Sequence, residues 1–220
     1  MKILAFPGWS CTQTLNQWFG EPIEVVDHFQ QLELLQQDST ALQNLCPDEA
    51  WILVTWSMGT LMGLKLCDSW EKNPPKCWIA LSPFMHFVGP EAANSYEEVM
   101  QLKSSLLAKP ETALKLFSRG HGVRQSWMNL EATPERVKTL AMSLDTLCEP
   151  MPIPKSKPAI PVYAIYGDLD SLVNSWMVEE FVETTGAKLC VPLAGVSHAL
   201  FYEQPELLEP LIESCLKGSD

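Results

Sequence analysis

The chain has 220 residues, 46% of them hydrophobic and 19% charged, and a formal charge of −12 at pH 7. That length allows one domain with a full core and little room for a second. The acidity argues against nucleic acid and anionic membranes as partners, and no apolar run approaches the length that spans a bilayer. Seven cysteines without a Cys-x-x-Cys pair suggest reduced thiols in a cytosol rather than a disulfide frame or a zinc site.

The segment Met1 to Phe6 is too short for a signal-peptide core and ends at Pro7-Gly8, so Lys2 to Phe6 reads as a first, buried strand. A loop follows at Pro7-Gly8-Trp9-Ser10. A helix is expected over Thr12 to Phe19, with Leu15 and Trp18 inward, and a strand over Ile23 to Val26. A second helix is expected from a cap at Asp38 or Ser39, with Leu42 and Leu45 inward and Pro47 beyond its end. Trp51 to Val54 is an apolar run of strand length. It gives way to a helical pattern through Leu61, Met62, Leu64 and Leu66 that runs to about Trp70. Cys77 to Leu81 reads as a fourth strand closed by Ser82-Pro83.

From Phe84 to Pro158 no strand is evident. Ser95-Tyr96-Glu97-Glu98 is a capping box, followed by Val99, Leu102 and Leu106 at helical spacing. Pro110 opens a helix with Ala113, Leu114 and Phe117 on one side. Thr133-Pro134 caps another, with Val137, Leu140 and Leu144 in register. Gly120-His121-Gly122 reads as a mobile corner. Residues 84–160 hold nine Lys/Arg against eight Asp/Glu, so nearly all the acidic surplus lies elsewhere. Strand texture returns at Val162 to Tyr166. A helix over Trp176 to Thr184, a last strand over Lys188 to Val191 and a terminal helix through Leu207, Leu211 and Leu216 follow, with Pro210 marking a kink or a late start. Alternating strands and helices on both sides of a helical insertion imply a small, mostly parallel sheet of about six strands covered on both faces. The core is expected over 1–83 and 160–220, with a helical lid insertion over 84–159.

Chemistry concentrates where strands end. Thr55-Trp56-Ser57-Met58-Gly59 places a serine between strand and helix, with Gly59 and Gly63 leaving one helix face bare. This is a variant nucleophile elbow in which Thr55 replaces the usual first glycine. Taken alone, Ser57 also fits a helix cap. Asp168 and Asp170 follow the fifth strand, and His198 follows the sixth. A serine hydroxyl needs a base, an imidazole titrates in the useful range, and a carboxylate fixes its tautomer. The order serine, acid, histidine is that of the α/β-hydrolases. The candidates are therefore Ser57 as nucleophile, His198 as base and Asp170 as acid, with Asp168 close by. The backbone amides of Trp9 and Met58 are candidate oxyanion donors. His28, His86 and His121 read as structural or surface groups, the last two at most lining a pocket in the lid. Cys11 could flank the site, but nothing marks an activated thiolate.

These motifs resemble the pimeloyl-acyl-carrier-protein methyl esterases of biotin synthesis, the BioH and BioG type. The similarity is carried by Pro7-Gly8-Trp9, Thr55-Trp56-Ser57-Met58-Gly59, Tyr166-Gly167-Asp168-Leu169-Asp170-Ser171-Leu172-Val173 and Ser197-His198-Ala199 with Pro205 beyond. It implies the α/β-hydrolase fold, from which this sequence is expected to depart in lacking the usual leading hairpin. It also implies Asp170 rather than Asp168 as the acid, and a serine esterase that needs no cofactor or metal. The implied substrate is the methyl ester of a pimeloyl chain on acyl carrier protein. Such an enzyme is expected to be a cytoplasmic monomer, with its acidic carrier docking on basic lid residues such as Arg119 and Arg124. A general short-chain esterase or thioesterase, and a silent hydrolase-like binding protein, are the alternatives.

Overall fold

A computed structural model describes residues 2–11, 23–26, 28–35, 42, 44–68, 70, 73–123, 131–151, 153–189 and 192–200, with single positions at 206, 210, 213 and 214. Six strands form one sheet: β1 (Lys2–Phe6), β2 (Ile23–Val25), β3 (Trp51–Trp56), β4 (Trp78–Leu81), β5 (Val162–Ile165) and β6 (Lys188–Leu189). Their order is β2-β1-β3-β4-β5-β6 and every pairing is parallel, with Ala5 opposite Val54, Trp56 opposite Leu81 and Leu81 opposite Ile165. β3 is buried at all six positions, which is why it reads as a continuous apolar run rather than an alternating one.

Six α-helices lie among the described residues: α1 (His28–Leu35), α2 (Thr60–Cys67), α3 (Tyr96–Ala108), α4 (Pro110–Gly120), α5 (Pro134–Leu147) and α6 (Ser175–Thr185). Their starts follow from local chemistry. Ser95 and Glu98 form the reciprocal capping box of α3, Thr133 Oγ1 accepts from the Arg136 amide at α5, and Asn174 Oδ1 accepts from the Met177 amide at α6. Helices α3, α4 and α5 come between β4 and β5, and α3 packs on both of the others. The only extended pairing in that stretch, among the described residues, is an isolated bridge between Val88 and Asn94.

One helix is additional to those expected: α1 occupies His28–Leu35, before the Asp38 or Ser39 start of the expected second helix. Its most buried described residue is a glutamine, with Leu32, Leu34 and Leu35 partly buried against the core. Gln31 is 1% exposed, and its Nε2 donates to Pro7 O and Val26 O at 3.1 Å each. A buried polar residue hides the apolar period that would mark the helix. Leu42 is helical and fully buried, but the residues before it lie outside the described set. So do the helix expected over Thr12 to Phe19, the end of the last strand and most of the terminal helix, of which 206, 210, 213 and 214 are helical.

The sheet order sets the position of the site. From β1 the chain moves outward to β2, then returns to lay β3 on the other side of β1. Crevices form at such reversals, beyond the carboxyl ends of the strands. The loop after β1 carries Trp9, and the turn after β3 carries Ser57.

Candidate active site

Ser57 opens a 3-10 turn, Ser57–Gly59, that runs directly into α2. Its φ is +52°, a conformation that costs a non-glycine residue of order 1–3 kcal/mol. The turn is tight because its neighbours have no side chains to lose. A Cβ on Gly59 would lie 2.0 Å from Phe6 O, and one on Gly63 would lie 2.3 Å from Trp78 Cζ2. A Cβ on Gly8 would meet Ser57 Cβ at 3.2 Å, so the loop carrying Trp9 runs against the serine. Thr55 is fully buried, and its Oγ1 accepts a hydrogen bond from Trp78 Nε1 at 2.8 Å. The residue that looked like a flaw in the elbow satisfies a buried indole.

The two aspartates separate cleanly. Asp168 is exposed, and its Oδ1 accepts from the Gly195 amide at 2.7 Å. Asp170 is buried, and its carboxylate faces His198 Nδ1 at 2.8 and 3.0 Å. Its Oδ1 also accepts from the amides of Leu172 and Val173, at 2.9 and 3.0 Å, and its Oδ2 accepts from Ser82 Oγ at 2.7 Å. Burial alone would raise its pKa. The His198 charge and the hydrogen bonds from His198, Ser82 and the Leu172 amide outweigh burial and hold the carboxyl below the ordinary carboxylate range. Ser82, at the end of β4, also has a positive φ, of +44°. In the sequence, Ser82 is marked only as the residue that closes the fourth strand.

His198 is 2% exposed. Trp56, the residue before Ser57, donates through Nε1 to His198 O at 3.1 Å, and the two rings are 5.3 Å apart. Its indole thereby holds the histidine loop against the elbow. Among the described residues no hydrogen bond joins Ser57 Oγ to the imidazole. Such contacts are commonly long before substrate binds and tighten in the reacting complex.

A cavity of about 410 Å³ opens at Ser57, walled by Trp9, Met58, Leu102, Phe117, Leu144 and Leu172 among others. That is the size and lining of a small-molecule site. Trp9 is fixed from the helical side, its Nε1 donating to Ser143 Oγ at 2.9 Å and reaching Leu140 O at 3.3 Å. His121 lines the cavity, whereas His86 is exposed and pairs with Glu180 at 2.8 Å. The side chain of His28 is outside the described set. Cys11 is buried, and burial pushes its thiol up to about 12 against the opposing charge of Arg136, so it supplies no thiolate. Arg119 is exposed on α4, and Arg124 lies outside the described residues. No group of metal-binding side chains, and no helix long and apolar enough to cross a membrane, occurs among the described residues.

No family model and no curated protein matches this sequence. Solved structures match in shape. An esterase (EaEST) from Exiguobacterium antarcticum gives a TM-score of 0.76 over 99% of this chain and 92% of its own, at 16% identity. MenH from S. aureus gives 0.67 over 98% and 93%, also at 16% identity. Human thioesterase 2 gives 0.61 over 98% and 95%, again at 16% identity. The chain has the α/β-hydrolase fold: a parallel sheet flanked by helices, with a strand-to-helix elbow at Ser57.

Proposed function

We propose that the protein is a serine hydrolase of carboxylic esters. Ser57 Oγ attacks the ester carbonyl and passes its proton to His198 Nε2. The tetrahedral oxyanion is held by the amides of Trp9 and Met58. His198 then protonates the leaving alcohol, and the acyl group stays on Ser57. Water gives a proton to the same nitrogen as it attacks the acyl carbon, and the acid leaves as Ser57 recovers its proton. The observation that carries this reading is the buried Asp170–His198 pair, held by Trp56 beside a serine in a left-handed conformation. Fluorophosphonate labelling is the test: the wild type should be labelled and Ser57→Ala should not. A wild type that resists labelling and hydrolyses no ester would leave a hydrolase-like binding protein instead.

The substrate proposed from the motif resemblance is the methyl ester of a pimeloyl chain on acyl carrier protein, acted on in the cytoplasm by a monomer. Helices α3 to α5 would act as the lid, within an insertion over 84–159. Carrier proteins are acidic, so a partner at −12 needs a local basic face. Arg119 and Arg124 are proposed for it. Two lid lysines are locally engaged: Lys103 with Asp145 Oδ2 at 2.7 Å, and Lys115 with Glu111 at 3.7 Å. Charge reversal at both arginines should raise KM for carrier-bound ester and spare small esters; equal effects on both would remove the docking proposal. Expression in a bacterium lacking its own pimeloyl methyl esterase should restore growth without biotin. Soluble expression without rescue would point to another ester. A thioester substrate would engage the same protein groups and is the alternative reading, compatible with the thioesterase among the shape matches. The ratio of methyl-ester to thioester turnover separates the two.

A further inference from the structure

The cavity at Ser57 contains a second imidazole that the acyl-transfer steps leave unused. His121 caps the end of α4, where its amide donates to Phe117 O at 3.2 Å, and its ring lies 4.8 Å from the Phe117 ring. Its Nδ1 is 2.8 Å from Ser171 Oγ, so one ring nitrogen is already engaged. Ser171 follows Asp170, and this contact joins the end of α4 to the loop that carries the carboxylate. His121, Ser171 and Ser57 all line the same cavity. Burial, helped by the nearby His198 charge, pushes the His121 pKa down to about 4 against the pull of Asp170. The ring is therefore uncharged near neutral pH. A neutral imidazole with Nδ1 taken offers a ligand one hydrogen bond, through Nε2, and no charge.

The remaining wall has the same character. Gln101 and Ser105 add uncharged polar groups to a largely apolar surface. The one charged residue on the wall, among the described residues, is Glu98, whose exposed carboxylate is taken up by Ser95, and no cation among them lines the wall to pair with an anionic chain. Such a wall suits an acyl chain that is mostly apolar, carries no negative charge and bears an uncharged polar group.

We propose that His121 is a specificity-determining residue of this site, making one hydrogen bond through Nε2 to a carbonyl or amide group on the substrate's acyl chain. This rests on the esterase reading above. A site that hydrogen-bonds its substrate rejects the analogue lacking the partner, because its own polar group is then left unpaired. The test uses nitrophenyl esters of straight-chain acids and counterparts with a keto group at successive chain positions. The wild type should prefer at least one keto ester over its parent by about tenfold in kcat/KM. His121→Leu should erase that preference, chiefly through KM. His121→Gln, which keeps a neutral donor and acceptor, should retain part of it. No keto preference in the wild type, or equal losses on keto and parent esters in both variants, overturns the proposal. Fluorophosphonate labelling keeps the two readings apart. A labelled wild type without keto preference removes the role of His121 alone, whereas an unlabelled, inactive wild type removes the hydrolase reading and this proposal with it.

Discussion

Asp168 and Asp170 share one loop, and the difference between them lies in what faces their oxygens. Asp168 meets one amide and solvent, whereas Asp170 meets an imidazole, two amides and the Ser82 hydroxyl. Asp170→Asn should reduce turnover by about 10⁴-fold, as loss of the tautomer-setting carboxylate does in serine proteases, and Asp168→Asn should leave kcat within a few-fold. The reverse ranking in steady-state kinetics would reassign the acid. Ser82→Ala removes one bond to a buried carboxylate without relieving the positive φ. It should cost about 1.5–3 kcal/mol in urea unfolding. His121 adds a pH signature. Its pKa falls from 6.5 to about 4 in the fold because of burial and the His198 charge, with Asp170 opposing. As pH drops through that window the unfolded chain binds the proton and the folded one does not, so stability is lost between about 6.5 and 4. His121→Leu should flatten the fall of Tm over that range relative to wild type, and an unchanged slope would contradict a neutral, half-buried ring.

The turn from β3 into α2 was legible because its signature is contiguous in the chain. A strand covered on both faces must be apolar throughout, and a helix pressed against Phe6 and Trp78 must present glycine at 59 and 63. The capping box at Ser95 and Glu98 was legible for the same reason, since both partners lie within one turn. α1 was not, because the acceptors that make Gln31 an inward residue belong to Pro7 and Val26, and Pro7 lies 24 positions away. Thr55 misled in the same manner. As part of a five-residue motif it is a departure from glycine; in the fold it is the acceptor for an indole on the neighbouring strand. Thr55→Val keeps the shape and strands Trp78 Nε1, so it should cost about 1–3 kcal/mol. Thr55→Gly restores the usual motif residue yet loses the same bond and stiffness, so it should also destabilise. A Thr55→Gly variant as stable as wild type by chemical denaturation would show that the hydroxyl contributes nothing.

Chain order and strand ends led to the expectation that Ser57, Asp170 and His198 gather at one rim; the structure pairs Asp170 with His198 at 2.8 Å and ties the His198 backbone to Trp56, the residue before Ser57. Nothing in the linear order indicated how the helical layer joins that rim. The joint is Trp9, whose indole donates across 134 positions to Ser143 Oγ at 2.9 Å and packs edge-on against Phe117 at 4.8 Å. Helices α4 and α5 thus help to hold the backbone whose amide is proposed for the oxyanion. Ser143 is fully buried, and its own hydroxyl donates to Leu140 O at 2.7 Å, so its position is set by the helix. In Ser143→Ala the indole keeps only Leu140 O at 3.3 Å, and Trp9 gains room to shift. If that residue supplies an oxyanion donor, loosening it should lower kcat by about tenfold with little change in KM. That is well short of the 100- to 1000-fold cost of deleting a donor outright. Binding of a boronic acid, whose tetrahedral adduct places an oxygen in the same position, should weaken in step with kcat. A variant that loses stability but keeps both kcat and boronate affinity would reduce the Trp9–Ser143 bond to packing and leave the second oxyanion donor unassigned.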